Sequence, residues 1–137
     1  MAYNARKISP LDLRPSTAIG VKIPFSALNV FDSVYSTKDQ TKYNLINFLL
    51  TDPRERPFSP NFGAGLRSFL FEQLETNTYE DLRTMLINKI ESNFSNVNII
   101  NLTVTSDVNI GAINIEFSYN IRNTKESDEV LLTIQNV

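Results

Sequence analysis

The stretch Ala112-Ile113-Asn114-Ile115-Glu116-Phe117-Ser118-Tyr119-Asn120-Ile121-Arg122 decides the fold. Ile113, Ile115, Phe117, Tyr119 and Ile121 alternate without error with Asn114, Glu116, Ser118, Asn120 and Arg122. Successive side chains of a strand point to opposite faces, so this period of two reads as a strand with one face buried. Upstream, Ile100, Leu102 and Val104 alternate with Asn101, Thr103 and Thr105; downstream, Val130, Leu132 and Ile134 repeat the pattern. Short turns join the three, Ser106 to Gly111 and Asn123 to Asp128, so the last third is an antiparallel meander. The turn Asp107-Val108-Asn109-Ile110-Gly111 resembles the start of a calcium loop. Its glycine falls one position early and the distal Glu is missing, so a hairpin turn is the better reading.

A meander with one apolar face needs a cover, and the preceding residues supply it as helices. The spacing predicts a helix from Thr37 to about Leu50, with Thr37 and Gln40 fitting a capping box and Thr51-Asp52-Pro53 as its stop. Tyr43, Ile46 and Leu50 share one side, and Leu45, Phe48 and Leu49 widen the apolar arc past half the circumference. Such a helix is central, or partly covered by another protein. A short helix is expected from about Leu66 to Leu74. A longer one runs from Asn77 or Thr78 to about Phe94, where Tyr79, Leu82, Leu86, Ile90 and Phe94 form an amphipathic stripe. The fold class is therefore α+β, with helices packed on one face of an antiparallel β-meander of at least three strands.

Two segments read differently. Residues 1–17 look like an N-terminal arm, because Pro10 and Pro15 break every periodicity and only Ile8, Leu11 and Leu13 could anchor it. A disordered tail and an arm that orders on a neighbour both fit. Residues 18–137 form a single domain, starting with a short extended segment from Ala18 to Phe25. Residues 52–66 form a loop stiffened by Pro53, Pro57 and Pro60, with Gly63 and Gly65 free to take positive φ. Arg54, Glu55, Arg56 and Phe58 sit on it, and arginine beside an aromatic on a stiff loop is what interface anchors look like.

The 137 residues include neither histidine nor cysteine. That removes the commonest general base, any thiolate nucleophile and Cys-based metal sites, so Ser-His-Asp and Cys-His mechanisms are impossible within the chain. Carboxylate chemistry survives. The acidic pairs Asp52 with Glu55, Glu72 with Glu75, Glu80 with Asp81, and Asp128 with Glu129 lack any sign of a flanked cleft, and solvated helix ends and loops explain them. No catalytic residue, metal ligand or cofactor motif is read. A net charge of −2 gives no basic stripe for nucleic acid. The most apolar stretch, Tyr43 to Thr51, is far too short to span a bilayer. Charge is uneven: residues 1–70 carry nine basic and five acidic side chains, and residues 71–137 four and ten. In an assembly that polarity could orient docking.

The run Asn44-Leu45-Ile46-Asn47-Phe48-Leu49-Leu50-Thr51, then Glu55-Arg56, Pro60, Phe62-Gly63, Leu66 and Leu70-Phe71-Glu72, resembles the gene-25-like baseplate wedge family of contractile phage tails. Relatives of that family occur in type VI secretion baseplates, and some members carry lysozyme-like labels. Val30 to Ser36 is similar to the family's approach to the first helix, and the match spans about residues 18–136. Arg54 stands where the family has glycine in a Gly-Glu-Arg turn. Phe94-Ser95-Asn96-Val97 stands where many relatives have Glu-Pro-Arg. The resemblance implies a structural, non-enzymatic part of a virion tail baseplate, made in the host cytoplasm. Its implied partners are other wedge proteins, through their helical core bundle, and the tail sheath protein. Candidate partner-binding residues are Glu55, Arg56, Phe58, Pro60, Phe62 and Gly63 in the loop. Val130, Leu132 and Ile134 join them on a last strand expected at a sheet edge, where backbone groups are open to strand addition.

Overall fold

The computed structural model describes residues 8–23, 32–71, 76–107, 109–122 and 124–135. Strand β4 (Ala112–Ile121) is the centre of a three-stranded antiparallel sheet, between β3 (Val97–Asp107) and β5 (Ser127–Gln135). Every apolar residue of the alternating stretch is buried, from Ile113 to Ile121. Leu102, Phe117 and Val130 lie abreast across the three strands, as do Val104, Ile115 and Leu132. Each such rank places apolar side chains side by side on the inner face, and a fully buried Phe or Ile contributes roughly 1.5–3 kcal/mol. The β3–β4 hairpin closes as expected. The Asp107 carboxylate accepts from the Asn109 amide at 3.0 Å, and Gly111 takes φ 61°.

β3 departs from simple alternation. Its register shifts between Ile99 and Asn101, so Ile99 pairs with Tyr119 while Asn101 pairs with Ser118. The extra residue is a β-bulge at Ile100, which leaves that side chain 59% exposed. The sequence pattern placed Ile100 on the inner face with Leu102 and Val104. The bulge turns it out, and Val97 and Ile99 take the inner positions instead.

Helix α1 (Thr37–Leu50) and helix α2 (Thr76–Asn93) cover the inner face, α2 over β3 and α1 beside β5. On α2, Leu82, Leu86 and Ile90 are buried in the expected stripe, and the Arg83 guanidinium reaches the Leu102 carbonyl at 2.8 Å. On α1 the buried set is Leu45, Phe48 and Leu49, while Tyr43, Ile46 and Leu50 stay half-buried. The α1 cap also differs from expectation. Ser36 is the N-cap, its hydroxyl accepting from the Asp39 amide at 3.2 Å, and Thr37 is the first helical residue. The capping box of Thr37 with Gln40 is not formed, because the Thr37 hydroxyl is turned to Asp12 and the Gln40 amide nitrogen donates to Asn44.

The short helix after the loop is a 3-10 helix, Leu66–Phe71. A two-stranded ribbon, β1 (Gly20–Val21) with β2 (Ser33–Val34), precedes α1. Gly20 lies so close to Gln40 that an added Cβ would stand 1.4 Å from its Oε1. Glu72 and Glu75, Val30 and Phe31 of the approach segment, and the last residues of the predicted short helix lie outside the described residues. No described helix is long and apolar enough to cross a membrane.

Candidate interaction surface

The loop after α1 is built on the helix stop. Thr51 leaves the helix in extended geometry, and both its amide and its hydroxyl donate to the Asn47 carbonyl, at 3.0 and 2.6 Å. A reciprocal pair then ties the first turn: the Asp52 amide donates to the Glu55 carboxylate at 3.1 Å, and the Glu55 amide to the Asp52 carbonyl at 3.2 Å. Glu55 is thus spent on loop geometry, and Asp52 faces the Arg67 guanidinium at 3.7 Å.

Arg54 takes a left-handed conformation of the kind that favours glycine. Its φ is 74°, and its amide donates to the Pro60 carbonyl at 2.8 Å, closing the loop across its waist. A non-glycine residue in that region carries strain of the order of 1–2 kcal/mol, held here by the bonds on either side. Gly63 at φ 119° is required for a different reason. A Cβ there would stand 2.4 Å from the Thr51 carbonyl oxygen, so only glycine lets the returning strand of the loop pass the helix end. The next amide, of Ala64, donates to the Phe48 carbonyl at 3.1 Å.

The named loop residues divide into an inner line and an outer tip. Arg56 lies over the Phe62 ring, its Cζ 3.9 Å from the centroid. Phe62 meets Phe48 edge-on at 5.1 Å, and Phe48 meets Phe94 edge-on at 5.6 Å. A continuous aromatic file therefore runs from the exposed guanidinium into the core. Phe58 and Pro60 form the tip, and Phe58 is 99% exposed. Gly63 is buried and Phe62 half-buried, so the contact surface they could offer a partner is small. On β5 the side chains of Val130, Leu132 and Ile134 point to the core, and the edge away from β4, unpaired among the described residues, offers backbone.

Two further features of this surface and its surroundings leave no signal in the sequence. Beside the loop lies an open groove of about 450 Å³, walled by Pro53, Gly65, Phe69 and Met85 and rimmed by Arg67 and Lys89. Lys89 donates to the Ala64 carbonyl at 3.3 Å, a contact between residues 25 apart that no local pattern signals. The other is Asp12, whose carboxylate takes both the amide and the hydroxyl of Thr37, at 2.7 and 2.6 Å. Among the described residues no group of three or more carboxylates is placed to hold a metal ion.

No family model matches the sequence, and no curated protein matches it. Solved structures do. A Geobacter sulfurreducens protein called a tail lysozyme superposes with a TM-score of 0.67 at 17% identity, over 74% of this chain and 93% of that one. A chain of the anti-feeding prophage baseplate superposes with a TM-score of 0.53 at 13% identity, over 85% of each chain. At these identities the likeness is one of fold. The resemblance read from the motif run of α1 and its loop is thus matched by the architecture, and the chain has the α+β fold found in those two tail and baseplate proteins.

Proposed function

We propose that this protein is a structural wedge subunit of a contractile-tail baseplate, which joins the wedge's helical core bundle to the first layer of sheath. The observation that carries the sheath half is the free edge of β5. Strand order β3-β4-β5 leaves β5 with one neighbour among the described residues, and a free edge is a template for a further strand. The fold shared with a baseplate protein supports the setting. The wedge half rests on the loop. Arg56 stacks on Phe62, and Phe58 projects from the same proline-rich turn, as interface anchors do. In this reading the protein resides in the tail baseplate of a virion or a related contractile particle, and its partners are wedge and sheath proteins.

Co-expression with the sheath and wedge proteins tests it, using proline to remove one backbone donor from β5. Residues of opposite parity direct their amides to opposite sides of a strand, so Thr133→Pro and Leu132→Pro together include one variant that blocks the free edge and one that breaks the β4 ladder. The edge-blocking variant should stay folded and lose sheath initiation. Normal sheath assembly by that folded variant would sink the strand-addition mechanism.

The likeness to a protein called a tail lysozyme favours a second reading, a carboxylate peptidoglycan hydrolase. Turnover of peptidoglycan by the purified chain, abolished by Glu55→Gln, would establish it. The involvement of Glu55 and Asp52 in holding the loop argues for the structural reading.

A further inference from the structure

We propose that residues 8–18 are a detachable strap, latched to the body by the side chain of Asp12. The sequence pointed to Ile8, Leu11 and Leu13 as the anchors of this arm. All three face outward, at 66%, 58% and 69% exposure. From Ile8 to Ala18 every residue is exposed except Ser9 and Asp12. Hydrophobic burial therefore does little to hold the segment in place. Asp12 does: it sits in the 3-10 turn Pro10–Leu13 and takes two hydrogen bonds from Thr37 at the first turn of α1. Among the described residues these are the only side-chain hydrogen bonds from 8–18 to the body.

The latch is ionic in character. An ionised carboxylate accepts from a helix's first amide and hydroxyl, and the positive end of the helix dipole adds to the attraction. The helix-dipole share of such a contact is open to screening by salt, unlike the burial that holds the sheet. Ser36 already caps α1 locally, so α1 keeps an N-cap when Asp12 leaves. The fixed end of the strap is the β1–β2 ribbon, where the Ile19 amide donates to the Val34 carbonyl at 2.8 Å. Pro10 and Pro15 restrict the segment between, so it moves as a stiff unit carrying Ile8, Leu11 and Leu13. None of this depends on the function proposed above.

Backbone ¹⁵N relaxation and amide exchange on the full chain test the latch. In the wild type, residues 9–17 should show the order of the body, and rising NaCl should lower it. In Asp12→Ala those residues should fall to the order of a free tail. Protection of the Thr37 amide should drop about fivefold or more, while β4 amides keep theirs. Asp12→Asn keeps an acceptor and loses the charge, so it should lie between the two. The proposal is overturned if Asp12→Ala leaves residues 9–17 as ordered as before, if the wild-type segment already moves as a tail, or if the variant loosens β4 together with the strap.

Discussion

The sheet and the loop that follows α1 are held in shape by different means. In β4 each inward residue is fixed by the same simple rule, an apolar side chain at every second position, and the central partners Leu102, Val104, Val130 and Leu132 obey it too. In residues 51–65 hardly any side chain is buried. The shape comes from backbone bonds such as Arg54 to Pro60 and Ala64 to Phe48, and from positive φ at Arg54, Gly63 and Gly65. A sheet built on burial tolerates any apolar residue of suitable volume, whereas a loop built on backbone geometry depends on particular residues at particular places. The two meet at Phe48, which is wholly buried, lies edge-on to the loop's Phe62, and lends its carbonyl to the loop's Ala64.

Substitutions can break this contrast. Phe48→Ala removes the hinge point of both regions and should cost about 3–5 kcal/mol in chemical denaturation, while Phe58→Ala at the exposed tip should stay within about 0.5 kcal/mol. A large loss at Phe58 would mean the tip is part of the fold. Next in size is Gly63→Ala, where φ 119° and the Thr51 carbonyl at 2.4 Å leave no room for a Cβ. It should cost roughly 1–3 kcal/mol and shift loop resonances before those of β4.

A gain is expected inside the sheet. The Tyr119 hydroxyl is buried with no partner among the described residues, and burial, then the charges of Asp128 and Asp39, push its pKa above the ordinary tyrosine value. Tyr119→Phe should therefore stabilise by up to about 1 kcal/mol, read from the denaturation midpoint. The sign of the pH effect follows from the same shift. An unfolded tyrosine ionises near pH ~10 whereas the folded one stays protonated, so the wild type loses stability as pH rises above about 10, and the advantage of Tyr119→Phe grows there. The phenylalanine variant should show a shallower alkaline loss. Smallest is Arg54→Gly, which relieves left-handed strain but frees the unfolded chain, for a net gain of about 0.5 kcal/mol.

Legibility in the sequence divides along the same line. The β4 alternation, the α2 stripe and the span of α1 were readable because burial leaves a period in the residue order. The bulge at Ile100 was not, since a single extra residue keeps the local alternation while shifting the face. Pairing with Tyr119 and Ser118 alone reveals it. The loop's stiffness was visible in its prolines and glycines, but Arg54 in a glycine conformation was not, because the bond to Pro60 that holds it is tertiary within the loop. Asp12 and Lys89 escaped for a similar reason. Each acts on a residue 25 positions away, where no spacing rule operates.

The meander also bears on the order of events in folding. β3 meets β4, and β4 meets β5, through turns of a few residues, so these pairings can close early with little loss of chain freedom. The ion pair of Lys42 with Asp128 at 3.4 Å joins α1 to β5 across 86 positions and closes a far longer stretch of chain at a higher entropic cost. The C-terminal third is in this sense the part of the fold held by contacts near in sequence, and the N-terminal half is tied to it by contacts that span most of the chain.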